Sequence, residues 1–243
     1  MKEWPLCVIL GSMVNLSNVP PVTIEYGTWG TVEISKRRES SYLLKNMGVE
    51  WNIYNPKHMR EYCEQWSGYD LAYGDVLLTG FGFGQMATWV ASKPGVEKVT
   101  VIEISQDVVD AFLSNNSLPN NVEVIIDDAN NFKTNKKYDC VIFDHISNFF
   151  KEKSFYEDLC KMTKNIPHDI FWFWSLEAYY LIHHYGITLE QLHNYPIDFK
   201  PFDFSLKWQE LRETLNISTI PNLEKNKIDE YINSYFLRHL IQE

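Results

Sequence analysis

The sequence predicts a doubly wound α/β fold, in which helices cover both faces of a mainly parallel sheet. Between residues 75 and 175, short apolar runs alternate with segments that space their apolar side chains as a helix does. A cluster of glycines follows the first apolar run, and an acidic residue ends each of the next three. Unbroken apolar runs are typical of parallel strands, because helices bury such strands on both faces. We therefore expect a ligand cleft where the carboxyl ends of these strands meet.

The chain divides by pattern into three parts. Residues 1–70 form an N-terminal extension, irregular except for a short helix and a β-hairpin that the alternating side chains of Val22–Ile34 predict. Residues 71–175 form the α/β core. Residues 176–243 form a C-terminal extension that we expect to be helical, because its last apolar residues follow helical spacing. Both extensions are expected to cover the cleft.

The core elements follow one another with little connecting sequence. The apolar runs predict strands at Asp75–Thr79, Lys98–Ile104, Val122–Ile126, Tyr138–Asp144 and Asp169–Trp174. The segments between them predict helices at Gln85–Lys93, Gln106–Asn115 and Lys151–Lys164. A short helix at Met59–Trp66 is expected to lead into the first strand.

Composition restricts the classes of partner. The formal net charge of −10 would repel a phosphate backbone, so we expect no nucleic acid and favour a neutral or cationic small molecule. No apolar stretch approaches the roughly 20 residues that span a bilayer, so we expect a cytoplasmic protein without a membrane partner. The four cysteines are scattered, show no metal-ligand spacing and are expected to be reduced thiols. We expect no metal site, and the sequence leaves open whether the protein forms a homodimer.

The glycine cluster after the first strand is the first part of a candidate cofactor site. Glycine allows a ligand to approach the backbone closely, and the amides at the start of the next helix attract an anion. The candidate residues are Gly80, Phe81, Gly82, Gly84 and Gln85. A dinucleotide fingerprint would place a further glycine at Gln85 or, in its looser form, at Ala87, so a nicotinamide dinucleotide is the weaker alternative.

The strand ends supply the other candidates. Glu103 ends the second strand, where a carboxylate can accept hydrogen bonds from both ribose hydroxyls of an adenosine, and Ile104 follows it. Asp127, Asp128 and Ala129 end the third strand, where a carboxylate can accept from an adenine amine and the alanine amide can reach a ring nitrogen. Their alternative role is to organise a turn. The fourth strand ends in Asp144 at the floor of the cleft.

These segments resemble the class I S-adenosylmethionine-dependent methyltransferases, and among them the spermidine synthase branch. The resemblance covers about 75 residues and rests on four stretches within them: Val76–Gly84, Lys93–Glu103, Asp128–Ala129 and Tyr138–Asp144. It implies a Rossmann-like core that binds S-adenosyl-L-methionine. The acceptor is not implied, although a small molecule, with amines among the candidates, suits the charge balance.

Departures from the spermidine synthase pattern favour methyl transfer over aminopropyl transfer. That family carries an acid where Phe83 stands and a second acid where Ser147 stands, and these capture cationic groups. Many methyltransferases also carry an acid where Leu78 stands. An aminopropyltransferase that uses decarboxylated S-adenosylmethionine is therefore the second interpretation, and a non-catalytic cofactor-binding protein is the third.

Asp144 and His145 are the candidate catalytic residues. A sulfonium methyl group is already activated, so the protein needs only to align the acceptor and, where required, to remove a proton. Asp144 can orient or deprotonate an amine or hydroxyl, or it can contact the cofactor alone. His145 can act as a base near neutral pH, and its alternative is a solvated loop histidine.

Overall fold

A computed structural model of the chain describes residues 18–38, 41–46, 48–54, 59–145, 153–174, 176, 182 and 185–188. These residues build one antiparallel sheet of four strands and one parallel sheet of five. The predicted C-terminal helices and Ser147 lie outside the described residues, and the division at residues 70/71 and 175/176 stays a prediction.

The N-terminal sheet is a meander of four antiparallel strands. In chain order these are β1 (Gly27–Trp29), β2 (Val32–Arg38), β3 (Ser41–Asn46) and β4 (Val49–Tyr54). The predicted hairpin corresponds to β1 and β2, which begin later than expected and turn at Gly30–Thr31, because Trp29 pairs with Val32. The prediction that the rest of this region is irregular was wrong, since β3 and β4 extend the hairpin into a sheet.

The parallel sheet confirms the predicted fold class. Its strands are β5 (Gly74–Thr79), β6 (Val96–Glu103), β7 (Val122–Ile126), β8 (Tyr138–Phe143) and β9 (His168–Phe173). They are ordered β7-β6-β5-β8-β9, and every neighbouring pair is parallel. From β5 the chain adds β6 and then β7 on one side, and it then crosses back to form β8 on the other side of β5. This reversal of strand order beside β5 is where open α/β sheets form ligand clefts.

Four helices are described: α1 (Met59–Leu71), α2 (Gln85–Ala91), α3 (Gln106–Leu113) and α4 (Lys153–Asn165). Crossover connections between parallel strands are right-handed. Across the sheet, the step from β8 to β9 goes in the direction opposite to the step from β5 to β6, so α2 and α3 lie on one face and α4 on the other. α1 lies on the face of α2, where Trp66 and Trp89 have ring centroids 5.9 Å apart.

The core between these layers is aromatic and tightly packed. The largest fully buried side chains are Trp89, Trp172, Phe143, Phe171, Phe173, Leu77, Leu78 and Ile102. Tyr69 of α1 stacks on Trp89 of α2 with ring centroids 4.2 Å apart, which fixes the two helices against each other. Leu78 therefore belongs to the core, and its side chain does not stand in for the acid that many methyltransferases carry at that position.

Several observations concern the described residues as a set. No helix among them is both long enough and apolar enough to cross a membrane. Within the same residues, no three His, Cys, Asp or Glu side chains are grouped so as to hold a metal ion. Cys140 and Cys160 are buried free thiols.

Candidate functional site

The predicted candidates come together at the carboxyl edge of the parallel sheet. The loops after β5, β6, β7 and β8 all leave the sheet there, because the four strands are adjacent and parallel. These loops carry the glycine turn, Glu103, Asp128 and Asp144. The structure therefore places at one edge of the sheet the residues that the sequence predicted from the ends of the strands.

The glycine turn depends on backbone conformations that favour glycine. Gly80, Gly82 and Gly84 have φ angles of 81°, 52° and 70°, in the left-handed region. The turn is closed by a 2.8 Å hydrogen bond from the Gly84 amide to the Phe81 carbonyl. A Cβ added to Gly84 would lie 2.6 Å from the Phe112 ring, so Gly84 needs both the conformation and the missing side chain.

Phe83 and Gln85 are both buried at the end of this turn. Phe83 is the residue that replaces the acid of the spermidine synthase pattern, and its ring is only 3% exposed. The position therefore contributes an apolar side chain to the interior and no negative charge to the cleft. Gln85 is the first residue of α2.

Glu103 is joined to the glycine turn by its carboxylate. Its Oε2 accepts a 2.8 Å hydrogen bond from the Phe81 amide, and its Oε1 accepts a 2.9 Å bond from the Ser105 amide. Burial raises the pKa of Glu103, and these backbone amides oppose that shift. The Ile104 amide also acts on this carboxylate, and since a carboxylate offers about four acceptor positions, it keeps a position for a further donor such as a hydroxyl.

Ile104 projects from the end of β6 beside this acid. Its side chain is 66% exposed, which is unusual for a large apolar residue next to a buried carboxylate. An apolar surface at this point suits the face of a planar ring. The prediction that Ile104 belongs to the cofactor site is consistent with its placement, although its role stays a prediction.

The acids after β7 hold their own loop together. Asp127 Oδ1 accepts from the Asp128 amide at 2.8 Å, and Asp128 Oδ1 accepts from the Asn130 amide at 2.9 Å. The other oxygen of Asp128 accepts from the side chain of Asn131. This is the turn-forming arrangement that the sequence left as an alternative. Ala129 is buried within the turn, and its role in the cofactor site stays a prediction.

Asp144 is held from two directions at the end of β8. Its Oδ2 accepts a 2.6 Å hydrogen bond from Gln65 Nε2 of α1, and its amide donates to Thr79 Oγ1 at 3.2 Å. Sequence reasoning missed Gln65, which is buried on a helix 79 positions earlier in the chain. The helix end reads Gln-Trp-Ser-Gly-Tyr-Asp-Leu, and nothing in that pattern distinguishes Gln65 from its other polar residues.

His145 is enclosed by side chains of the same edge. Nδ1 lies 2.7 Å from Thr79 Oγ1, and Nε2 lies 3.0 Å from Asn130 Oδ1. Burial lowers the pKa of His145 to about 4, against a smaller opposing effect of Asp128. The ring is therefore neutral near pH 7, with both nitrogens engaged by the protein.

Comparison with known proteins finds similarity of fold only. No family model and no curated protein matches the chain. A complex of DhpI with SAM and HEP is 18% identical, over 42% of this chain and 46% of that chain, with a TM-score of 0.34. Protein arginine methyltransferase 10 of Arabidopsis thaliana is 22% identical, over 46% and 32%, with a TM-score of 0.36. A spermidine synthase bound to the transition-state analogue AdoDATO is 18% identical, over 56% and 49%, with a TM-score of 0.39.

The chain spans less than half the length of each of these three proteins. Similarity at this level concerns the α/β fold, and the chemistry of this chain depends on its own side chains.

Proposed function

We propose that this protein is an S-adenosylmethionine-dependent methyltransferase that acts on a small-molecule acceptor, with amines as the first class to test. The observation that carries the proposal is the hydrogen bond between the Phe81 amide and Glu103 Oε2, 2.8 Å long. It joins the turn that leaves room for a ligand to the acid that can bind a ribose, at the strand-order reversal of the sheet.

The residues at this edge fit the parts of the cofactor. The Glu103 carboxylate can accept a hydrogen bond from a ribose hydroxyl in addition to those from the backbone amides. The exposed side chain of Ile104 can pack on the adenine face, and the Ala129 amide can reach a ring nitrogen. Gly80–Gly84 can admit the amino-acid tail close to the backbone. When bound, S-adenosylmethionine supplies a methyl group that is already activated by its sulfonium.

Asp144 is the residue proposed to meet the acceptor. Gln65 donates to one of its oxygens, which fixes the direction of the carboxylate. An ionised carboxylate at the cleft attracts a cationic amine and can orient its lone pair after the proton is lost. The same charge would suit a diamine, so this feature alone does not favour methyl transfer.

Phe83 supports methyl transfer over aminopropyl transfer. The tail of decarboxylated S-adenosylmethionine carries a positive amine without a carboxylate, so its binding gains from a nearby acid. Phe83 instead buries an aromatic ring in the glycine turn. The intact tail is a zwitterion and loses less from the missing acid.

Titration with the two cofactors tests the proposal. S-adenosylmethionine and its decarboxylated form are titrated by calorimetry at one pH and salt concentration, and the products formed with a panel of simple mono- and diamines are identified by mass spectrometry. We expect tighter binding of the intact cofactor and methylated product. Tighter binding of the decarboxylated form with aminopropylated product would support the second interpretation. Binding of S-adenosylmethionine without any product from the panel would favour a non-catalytic protein.

A further inference from the structure

We propose that His145 is a positioning residue that links the loop after β8 to the loop after β7, with Thr79 and Asn130 as its two anchors. The proposal rests on the proposed function, because these loops carry the acceptor acid and the adenine contacts. It assigns to His145 a role other than the proton transfer that the sequence suggested.

The first anchor ties His145 to the end of β5. Thr79 is fully buried, and its Oγ1 lies 2.7 Å from His145 Nδ1 and 3.2 Å from the amide nitrogen of Asp144. The Asp144 amide donates to Thr79 Oγ1, and because Nε2 of the neutral ring faces the acceptor Asn130 Oδ1 and so carries the hydrogen, Nδ1 accepts from the Thr79 hydroxyl. One hydroxyl thus fixes both Asp144 and His145.

The second anchor ties His145 to the turn after β7. With Nδ1 accepting, Nε2 of the neutral ring carries the hydrogen and donates to Asn130 Oδ1 at 3.0 Å. The Asn130 amide in turn donates to Asp128 Oδ1 at 2.9 Å. The hydrogen bonds therefore run from Asp144 through Thr79, His145 and Asn130 to Asp128, and they connect three strand ends.

Packing leaves the ring little freedom to leave this position. The ring centroids of His145 and Phe143 are 4.4 Å apart. A Cβ added to Gly80 would lie 2.9 Å from His145 Cβ, so the backbone of the glycine turn approaches the histidine closely. The absence of a side chain at Gly80 is thus explained by His145 as well as by the cofactor.

The charges around the ring agree with a neutral, fixed histidine. Among the described residues, the acidic group that acts on the ring is Asp128, from the turn after β7, and it raises the pKa of His145. Burial outweighs that effect. A proton taken from an acceptor would require Nδ1 to give up its bond to Thr79.

These hydrogen bonds therefore hold the two ends of the cleft at a fixed distance from each other. Cofactor contacts lie on the side of Asp128 and Ala129, and acceptor contacts lie on the side of Asp144. Loss of either anchor should loosen the turn after β7 and so weaken cofactor binding. Because the anchors act through one ring, removing both should cost little more than removing one.

The test uses the intact protein, with S-adenosylhomocysteine as the probe for calorimetry and the imidazole signals of His145 for NMR titration. Thr79→Val and Asn130→Ala should each weaken binding by about threefold to tenfold, and the double variant should weaken it by much less than the product of the two. Thr79→Ser keeps the hydroxyl and should bind as the wild type does. Thermal melting identifies any variant that fails to fold.

The NMR titration keeps this proposal separate from the proposed function, because it needs no cofactor. The His145 signal, assigned by its loss in His145→Gln, should not titrate between pH 8 and pH 5.5. A midpoint near the ordinary histidine value of 6.5 would overturn the positioning role. So would wild-type affinity in both Thr79→Val and Asn130→Ala. Failure of the wild type to bind S-adenosylhomocysteine would refute the proposed function, and the titration would still decide whether His145 is fixed.

Discussion

The amide of Phe81 donates a 2.8 Å hydrogen bond to Glu103 Oε2, so the glycine turn after β5 and the acid at the end of β6 form one unit. Ser105 donates to the other oxygen from the far side. The carboxylate is thereby oriented before any ligand arrives, and binding does not have to order it. Residues on two strands determine the geometry of a single subsite.

Replacing Glu103 should weaken cofactor binding. Glu103→Ala removes charged hydrogen bonds to the ribose, and we expect a loss of roughly 1.5–3 kcal/mol in calorimetry with S-adenosylmethionine. Glu103→Gln keeps one acceptor oxygen and should lose less. Glu123→Gln is the matched control, because Glu123 pairs with Lys98 on the same sheet and lies away from the cleft edge. Equal affinity in Glu103→Ala and the control, with both folded, would remove Glu103 from the site.

Cofactor affinity should also depend on pH through the same acid. Burial raises the pKa of Glu103 above its ordinary value of 4.5, and hydroxyl donors bind the ionised form. Affinity should therefore be full above the raised pKa and fall as the pH decreases through it. Calorimetry with S-adenosylhomocysteine from pH 7 to pH 5 measures this. Glu103→Gln should bind more weakly and show no such decline; an identical decline in that variant would assign the effect to another group.

Gly84 can be compared with Gly95, because both have positive φ angles, of 70° and 88°, but different surroundings. No atom lies within 4 Å of a Cβ added to Gly95, so Gly95→Ala should cost only the conformational strain of about 1–2 kcal/mol. Gly84→Ala should lower the free energy of unfolding further, since its Cβ would lie 2.6 Å from Phe112. Urea unfolding measures both. If the two variants are equally stable, the close contact with Phe112 does not constrain the turn.

Adding Phe112→Leu to Gly84→Ala should recover part of the lost stability, because the smaller side chain relieves the contact. The same change should not rescue Gly95→Ala.

The core of the fold could be predicted because its signals are local. Apolar runs such as Val122–Ile126 are bounded by turn residues, and the structure reproduces those bounds. β4 reads Val-Glu-Trp-Asn-Ile-Tyr, whose alternation does indicate a strand, so that signal was present and overlooked. β3 was missed for a physical reason. Strand β3 reads Ser-Tyr-Leu-Leu-Lys-Asn, which has little alternation, and it is stabilised by its pairing with β2 and β4.

The site could be predicted only as far as strand ends determine it. Glu103 ends β6 and Asp144 follows β8, the parallel strands on either side of β5, so their approach to one edge follows from topology. The bond between Gln65 and Asp144 joins residues 79 positions apart, and no local pattern reports it. His145 was a candidate base because its type suggested one; its burial and its two partners are properties of the folded chain.

Gln65 should matter for turnover more than for cofactor binding. Gln65→Leu has a similar volume and removes the donor to Asp144, so the carboxylate loses its fixed direction. With an acceptor identified by product analysis, we expect kcat to fall by about tenfold while the affinity for S-adenosylhomocysteine stays within about twofold. Gln106→Leu is the control, since Gln106 donates to Asp110 at 2.8 Å on the exposed surface of α3. An equal loss in kcat and cofactor affinity would indicate a structural role for Gln65.

Asp107 connects the N-terminal sheet to the core close to the end of β6. Its Oδ2 accepts a 2.7 Å hydrogen bond from the Thr31 amide and lies 2.8 Å from the Thr31 hydroxyl, at the turn between β1 and β2. A Cβ added to Gly30 would overlap this carboxylate. The β1–β2 turn therefore packs against the first helical turn of α3 at Asp107, three residues after Ile104.

Removing Asp107 should therefore release the β1–β2 turn. We expect Asp107→Ala to speed hydrogen exchange in a peptide covering Gly27–Ile34, with little change in β5, because one side chain makes the contact. The Thr31 donors lower the pKa of Asp107 below 3.8, so the contact is complete above that pH and is lost only as the pH falls through the lowered pKa. Exchange at pH 7 thus samples the intact contact. Asp110→Ala, one turn further along α3, is the control; if it matches Asp107→Ala, the turn does not depend on this carboxylate.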